Sequence, residues 1–232
     1  MAGERSAEWD GVTRRSTYKE KVVAERDRLA DAARDADWET VLGILDRERG
    51  WVNFGRIEGA SGFSPFHQAA WHGASEEIVR ALLDLGAWRT FRTRDGHRAL
   101  DLATARGHGH LTDLLRPRIG QPLPPGDLAR LQGHLHRLIR FRADDGRGSD
   151  IPAWNALRLP ELEPLTELDH PVCWFPVPGM YGGFRFELRD AELTVESWIR
   201  VVGGSERTDR ITVHGVELEE GGRGGVGGPP AV

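Results

Sequence analysis

The feature that most limits how this chain can fold is a helix–turn–helix pattern that returns along it. The pattern is clearest at residues 62–87. There Gly62-Phe63-Ser64-Pro65-Phe66-His67-Gln68-Ala69-Ala70-Trp71-His72-Gly73 is followed by Ile78, Val79, Leu82, Leu83 and Gly86-Ala87. Ser64 suits a helix N-cap, and Pro65 suits the first helical position, where no backbone donor is needed. Ala69 and Ala70 are small where a neighbouring helix must approach, and Gly73 supplies a left-handed residue at the helix end. The pattern returns at Ala99-Leu100-Asp101-Leu102-Ala103, Gly107-His108 and Leu114-Leu115, with Phe66 and Leu100 34 residues apart. A degenerate copy comes first. Leu29, Ala32-Ala33 and Glu39-Thr40-Val41 take the corresponding places, and Leu29 lies 37 residues before Phe66, which gives this copy a longer finger. Helix pairs of this size cannot bury their apolar faces alone, so the copies must stack.

The central copy resembles the ankyrin repeat, whose signature T-P-L-H-x-A-A it carries with Ser64 for Thr and Phe66 for Leu. The resemblance implies a short α-solenoid of about three repeats over residues 18–119, with a concave groove as the usual partner surface. It also implies that His67 is a scaffold residue bonding within and between repeats. Trp71 and His72 would lie on an inner helix lining the groove. Asp95-Gly96 reads as the tight turn at a β-finger tip.

The flanks read differently. Residues 1–17 are polar with a lone Trp9 and are expected to form a disordered arm. In residues 120–169, Asp127 is expected to cap a helix whose stripe of Leu128, Leu131, Leu135, Leu138 and Ile139 closes the array, followed by a Pro-rich linker. Over 170–220, alternation in Phe184-Arg185-Phe186-Glu187-Leu188 and the turn signals Arg189-Asp190 and His214-Gly215 predict a small antiparallel β-meander. The Gly- and Pro-rich tail, 221–232, is expected to be disordered. The fold class is therefore α+β. From about residue 18 to 220 the layout resembles a group of bacterial ankyrin-repeat proteins. The resemblance is carried by the run from Ala69 to Gly73, by Gly86-Ala87-Trp88-Arg89-Thr90, by Leu157-Arg158-Leu159-Pro160-Glu161-Leu162, by Trp174-Phe175-Pro176-Val177-Pro178-Gly179-Met180-Tyr181-Gly182-Gly183-Phe184, and by Glu196-Ser197-Trp198.

Composition narrows the function classes. A net charge of -5 gives no basic surplus for nucleic acid. No run approaches the apolar length of a membrane span, and no apolar leader follows Met1, so a cytoplasmic protein is expected. Lys19 and Lys21 are the only lysines among 31 basic residues, an arginine bias that points to a GC-rich, bacterial genome. Cys173 is the single cysteine; it reads as a buried residue of an apolar strand, with a catalytic thiol as the rival reading.

No nucleophile–base set, metalloprotease helix or dinucleotide fingerprint is present, so no catalytic residue and no cofactor is expected. His108 and His110, like His134 and His136, are two apart, a spacing that does not face one metal on a helix; no metal is expected. The expected function is a non-enzymatic protein–protein interaction. Its partner-binding candidates are Trp71, His72 and Arg106 in the groove and Trp88, Phe91, Arg92 and Arg94 in the finger, since Trp and Arg are enriched at binding hot spots. Each has a structural reading beside it: Trp71 packing on its neighbour, the finger as a strand pair with solvated arginines. The alternative is a ligand-binding or enzymatic β-module, with Trp174, Tyr181, Trp198 and Arg200 around a pocket.

Overall fold

The computed structural model describes residues 7–145, 154–179, 182–199 and 206–218. Its class is α+β, with seven α-helices and one six-stranded sheet among these residues. The helices come in pairs: α1 (Glu20–Arg34) with α2 (Trp38–Arg47), α3 (Pro65–His72) with α4 (Glu76–Asp84), and α5 (Ala99–Ala105) with α6 (Thr112–Leu115). First helices pack on first helices, α1 on α3 and α3 on α5. Second helices pack likewise, α2 on α4 and α4 on α6. Ala33, Ala69, Ala70 and Ala103 are buried where the first helices meet. Ser64 caps α3 in a reciprocal capping box with His67, and Pro65 begins the helix. Gly73 ends α3 with φ 61°, and a Cβ there would collide with the His108 ring, so the position excludes a side chain on two grounds.

The sheet runs in the order β1 (Ala7–Glu8), β2 (Val172–Val177), β3 (Gly182–Arg189), β4 (Glu192–Ile199), β5 (Glu206–Thr212), β6 (Gly215–Leu218). β2 to β6 form the expected antiparallel meander, and β1 adds to β2 in parallel. Alternation sets the faces. Cys173, Phe175, Phe184, Phe186, Leu188, Leu193, Val195 and Ile211 point into one core, while Trp174, Arg185, Glu196 and Trp198 take the other face.

Three expectations are corrected here. Residues 7–17 are not a disordered arm. Trp9 is 2% exposed, stacks on Trp88 with ring centroids 6.1 Å apart, and donates its indole N–H to the Arg158 carbonyl at 2.8 Å. Burying an indole whose N–H is satisfied stabilises this segment more than its polar composition suggests. The helix α7 (Pro125–Asp145) does not close the helical stack. Leu131, Leu135, Leu138 and Ile139 do form a buried stripe, but they join the core of the sheet, and α7 packs on β4, β5 and β6. Asp127 is not its cap: the helix begins at Pro125, and the Asp127 carboxylate accepts from Arg130 instead. Pro160 and Pro164 leave only short 3-10 turns, Trp154–Ala156 and Glu163–Glu167, as their ring constraints require.

No helix among the described residues is long and apolar enough to cross a membrane. The polar run 143–151 reads in the sequence as a flexible break; residues 143–145 instead end α7, and 146–151, like the tail at 221–232, lie outside the described residues.

Candidate partner-binding groove

The finger candidates divide sharply. Trp88 and Phe91 are buried, at 5% and 6% exposure, and pack with Trp9 and with the sheet core. Phe91 meets Trp9 edge-on at 5.5 Å. Arg92 is half-buried and binds Glu163 at 2.9 Å, and Arg98 joins the same carboxylate. Thr90 donates its N–H and its hydroxyl to Glu167 at 2.9 and 2.7 Å; burial holds that carboxyl above its ordinary range, against the pull of the Thr90 donors. The finger is therefore a joint between the helical half and the sheet half; Trp88 and Phe91 are corrected from exposed binding anchors to buried structural residues, and Arg92 keeps a partly exposed side chain tied to Glu163. The physical reason is that an aromatic finger needs an apolar partner, and Trp9 and the 154–168 segment supply one. Arg94, beyond the joint, is exposed.

Trp71 remains at the surface. It is 37% exposed on α3, meets Phe63 edge-on at 6.0 Å, and carries the Arg106 guanidinium over its ring at 4.3 Å. Two contacts thus fix the indole while leaving part of it uncovered. His72 is exposed, but its Nε2 donates to the Arg34 carbonyl at 2.8 Å and its ring lies edge-on to Trp38. His108 Nε2 bonds the Trp71 carbonyl at 3.1 Å in the same way, and His110 bonds the Ala74 carbonyl at 3.2 Å. These histidines satisfy carbonyls at the end of the preceding first helix, where orphan acceptors are left. No group of three metal-ligating side chains occurs among the described residues.

His67 is fully buried. Its Nδ1 accepts from the Ser64 N–H at 3.3 Å, and its Nε2 faces the Phe91 carbonyl at 3.0 Å, which assigns the proton to Nε2. Burial pushes its pKa down to about 4, so it is neutral near pH 7. It ties one helical pair to the next finger.

Beside Phe63 lies a cavity of about 280 Å³ between α1, the 54–63 finger and the start of α3. Arg26, Arg34 and Arg56 line it together with Leu29, Phe63 and Gln68. Gln68 stands one turn before Trp71 on α3, so the cavity and the Trp71 surface share the same helix and the same finger residue. Sequence reasoning missed these residues. The one visible signal was the longer first finger, whose Gly59-Ala60-Ser61-Gly62 run forms the cavity wall without filling it.

On the sheet, Trp174 lies across β3 at Gly183, where a Cβ would stand 2.9 Å from its indole, and Trp198 is the register partner of Gly183. Both indoles are half-buried on the sheet's outer face and do not fill the core. Tyr181 and Arg200 lie outside the described residues. Cys173 is fully buried, and burial pushes its thiol up, away from the thiolate form that a nucleophile needs.

No protein-family model matches the chain, and no curated protein matches it in sequence.

Proposed function

We propose that the chain is a non-catalytic protein-interaction module, that its helical half is a short ankyrin-type array, and that its partner lies across Trp71. The ankyrin reading is supported by the repeated pairing of first helices with first helices, by the Ser64–His67 capping box and by the His67 bond to the next finger. One observation carries the functional reading: Trp71 is a large aromatic kept partly exposed and oriented by Phe63 and Arg106, next to a cavity. Oriented Trp and Arg side chains lose little entropy on binding and are the side chains that dominate interfaces. Arg94 and Arg106 are both exposed and give the rim positive charge against a chain that is acidic overall.

The test is affinity capture from the source organism with the full chain and with Trp71→Ala plus Arg106→Ala. A specific partner should be held by the first and lost from the second, while both keep the same thermal unfolding midpoint. A partner held equally by both would overturn the site.

A second reading places a ligand on the outer face of the sheet, because Gly183 makes room for Trp174 beside Trp198. In that reading Trp174→Ala, and not Trp71→Ala, removes binding.

A further inference from the structure

The cavity beside Trp71 has an uneven charge lining. Three guanidinium-bearing residues, Arg26, Arg34 and Arg56, line it, and no carboxylate-bearing residue does. The carboxylates that hold these arginines stand outside the lining. Asp10 binds Arg26 at 2.6 Å, Asp27 binds Arg56 at 3.0 Å with Asp31 on the same guanidinium, and Asp31 and Asp35 bind Arg34 at 2.9 and 3.0 Å. Arg26 is 2% exposed, and its Nε has no hydrogen-bond partner. A buried, charged donor left unpaired is costly unless an acceptor reaches it. Leu29, Phe54 and Phe63 make the rest of the wall apolar.

We propose that this cavity receives a carboxylate side chain, Glu or Asp, from the protein segment that binds across Trp71. The inference rests on the groove reading above. Size favours a side chain: about 280 Å³ is at or below the lower end for a drug-sized ligand, and ample for one residue. Charge favours a monoanion. Arg34 and Arg56 each already meet two aspartates and Arg26 one, so little positive charge is left over, and a phosphate dianion would add excess negative charge near Asp27 and Asp31. Continuity favours the same partner, because Phe63 both walls the cavity and contacts Trp71.

The experiment is selection of a displayed random-peptide library on the full chain, followed by fluorescence anisotropy with the selected peptide made synthetically. The selected peptides should share one Glu or Asp and should lose binding to Trp71→Ala. Changing that Glu to Gln should weaken binding about tenfold or more, as expected for a charge-assisted hydrogen bond. Arg34→Gln plus Arg56→Gln should weaken the Glu peptide by the same factor and leave the Gln peptide unchanged. Ala30→Phe, which narrows the cavity and keeps every charge, should also weaken the Glu peptide. Selected peptides that need Trp71 but share no acid, or a Glu-to-Gln change without effect, would overturn the cavity assignment and leave the groove standing. Tighter binding of a phosphoserine peptide than of its Glu counterpart would overturn the carboxylate class. Failure to select any Trp71-dependent peptide would overturn the groove reading, and this inference with it.

Discussion

Arg142 and Asp209 form an ion pair with side chains only 6% and 0% exposed, joined by two hydrogen bonds of 2.7 and 3.1 Å. It pins α7 to β5. Removing one partner of such a pair strands a buried charge, so Asp209→Ala should lower unfolding free energy by about 3–5 kcal/mol in urea titration. Replacing both with apolar residues of similar volume should recover most of that loss. His67 gives a pH-dependent prediction. Its folded pKa, about 4, lies below its ordinary value of 6.5. Between those values the unfolded state binds a proton that the folded state does not, so stability is full above about pH 6.5 and falls as pH drops toward 4. The loss amounts to about 3 kcal/mol at one pKa unit per 1.36 kcal/mol. Urea midpoints at pH 7 and 4.5 should show this component in the wild type and lack it in His67→Gln. His67 was legible in the sequence because its motif is local. The Arg142–Asp209 pair was not, because nothing local in a 67-residue separation marks two charges as partners.

At the scale of elements, the meander was legible from period-two alternation and turn residues, and α7 from its leucine stripe. What α7 packs on was not legible, because a stripe states that a face is buried and not against what. β1 was invisible for a different reason: two residues are too few to show a period, and its pairing depends on Trp9 finding a site about 80–150 residues away. The hairpin between β3 and β4 holds strain. Asp190 and Ala191 have φ values of 50° and 62°, the left-handed region that two-residue hairpin turns require and that Ala adopts at a cost. Ala191→Gly should therefore stabilise the protein by about 1 kcal/mol, the usual cost of a left-handed L-residue. Thermal unfolding measures it, and a lower midpoint would contradict it.

At the scale of the whole molecule, one aromatic cluster joins the two halves. Trp9 comes from the N-terminal segment, Trp88 and Phe91 from the finger, and Arg158 stacks over Trp9 and Phe91 at 5.1 and 4.6 Å. Trp9→Ala should cost about 3–5 kcal/mol, as large-to-small core changes of this size do, and should destabilise helices and sheet together. Separate transitions for the two halves in calorimetry would contradict a shared core. This cluster also explains why the finger aromatics misled: Trp and Phe in a loop signal burial somewhere, and sequence does not say whether the cover is a partner or the same chain. Phe141 on α7 is more exposed, at 55%, than Trp71 at 37%, but Trp71 is the one held between Phe63 and the Arg106 guanidinium beside a cavity, which is what marks it as a binding anchor. Amide hydrogen exchange of the full chain with its captured partner tests this most directly. Slower exchange on binding should concentrate in residues 59–72 and 94–106, around Phe63, Trp71 and Arg106. Slowing confined to the outer face of β2 to β4, around Trp174 and Trp198, would contradict the account and favour the sheet as the binding surface.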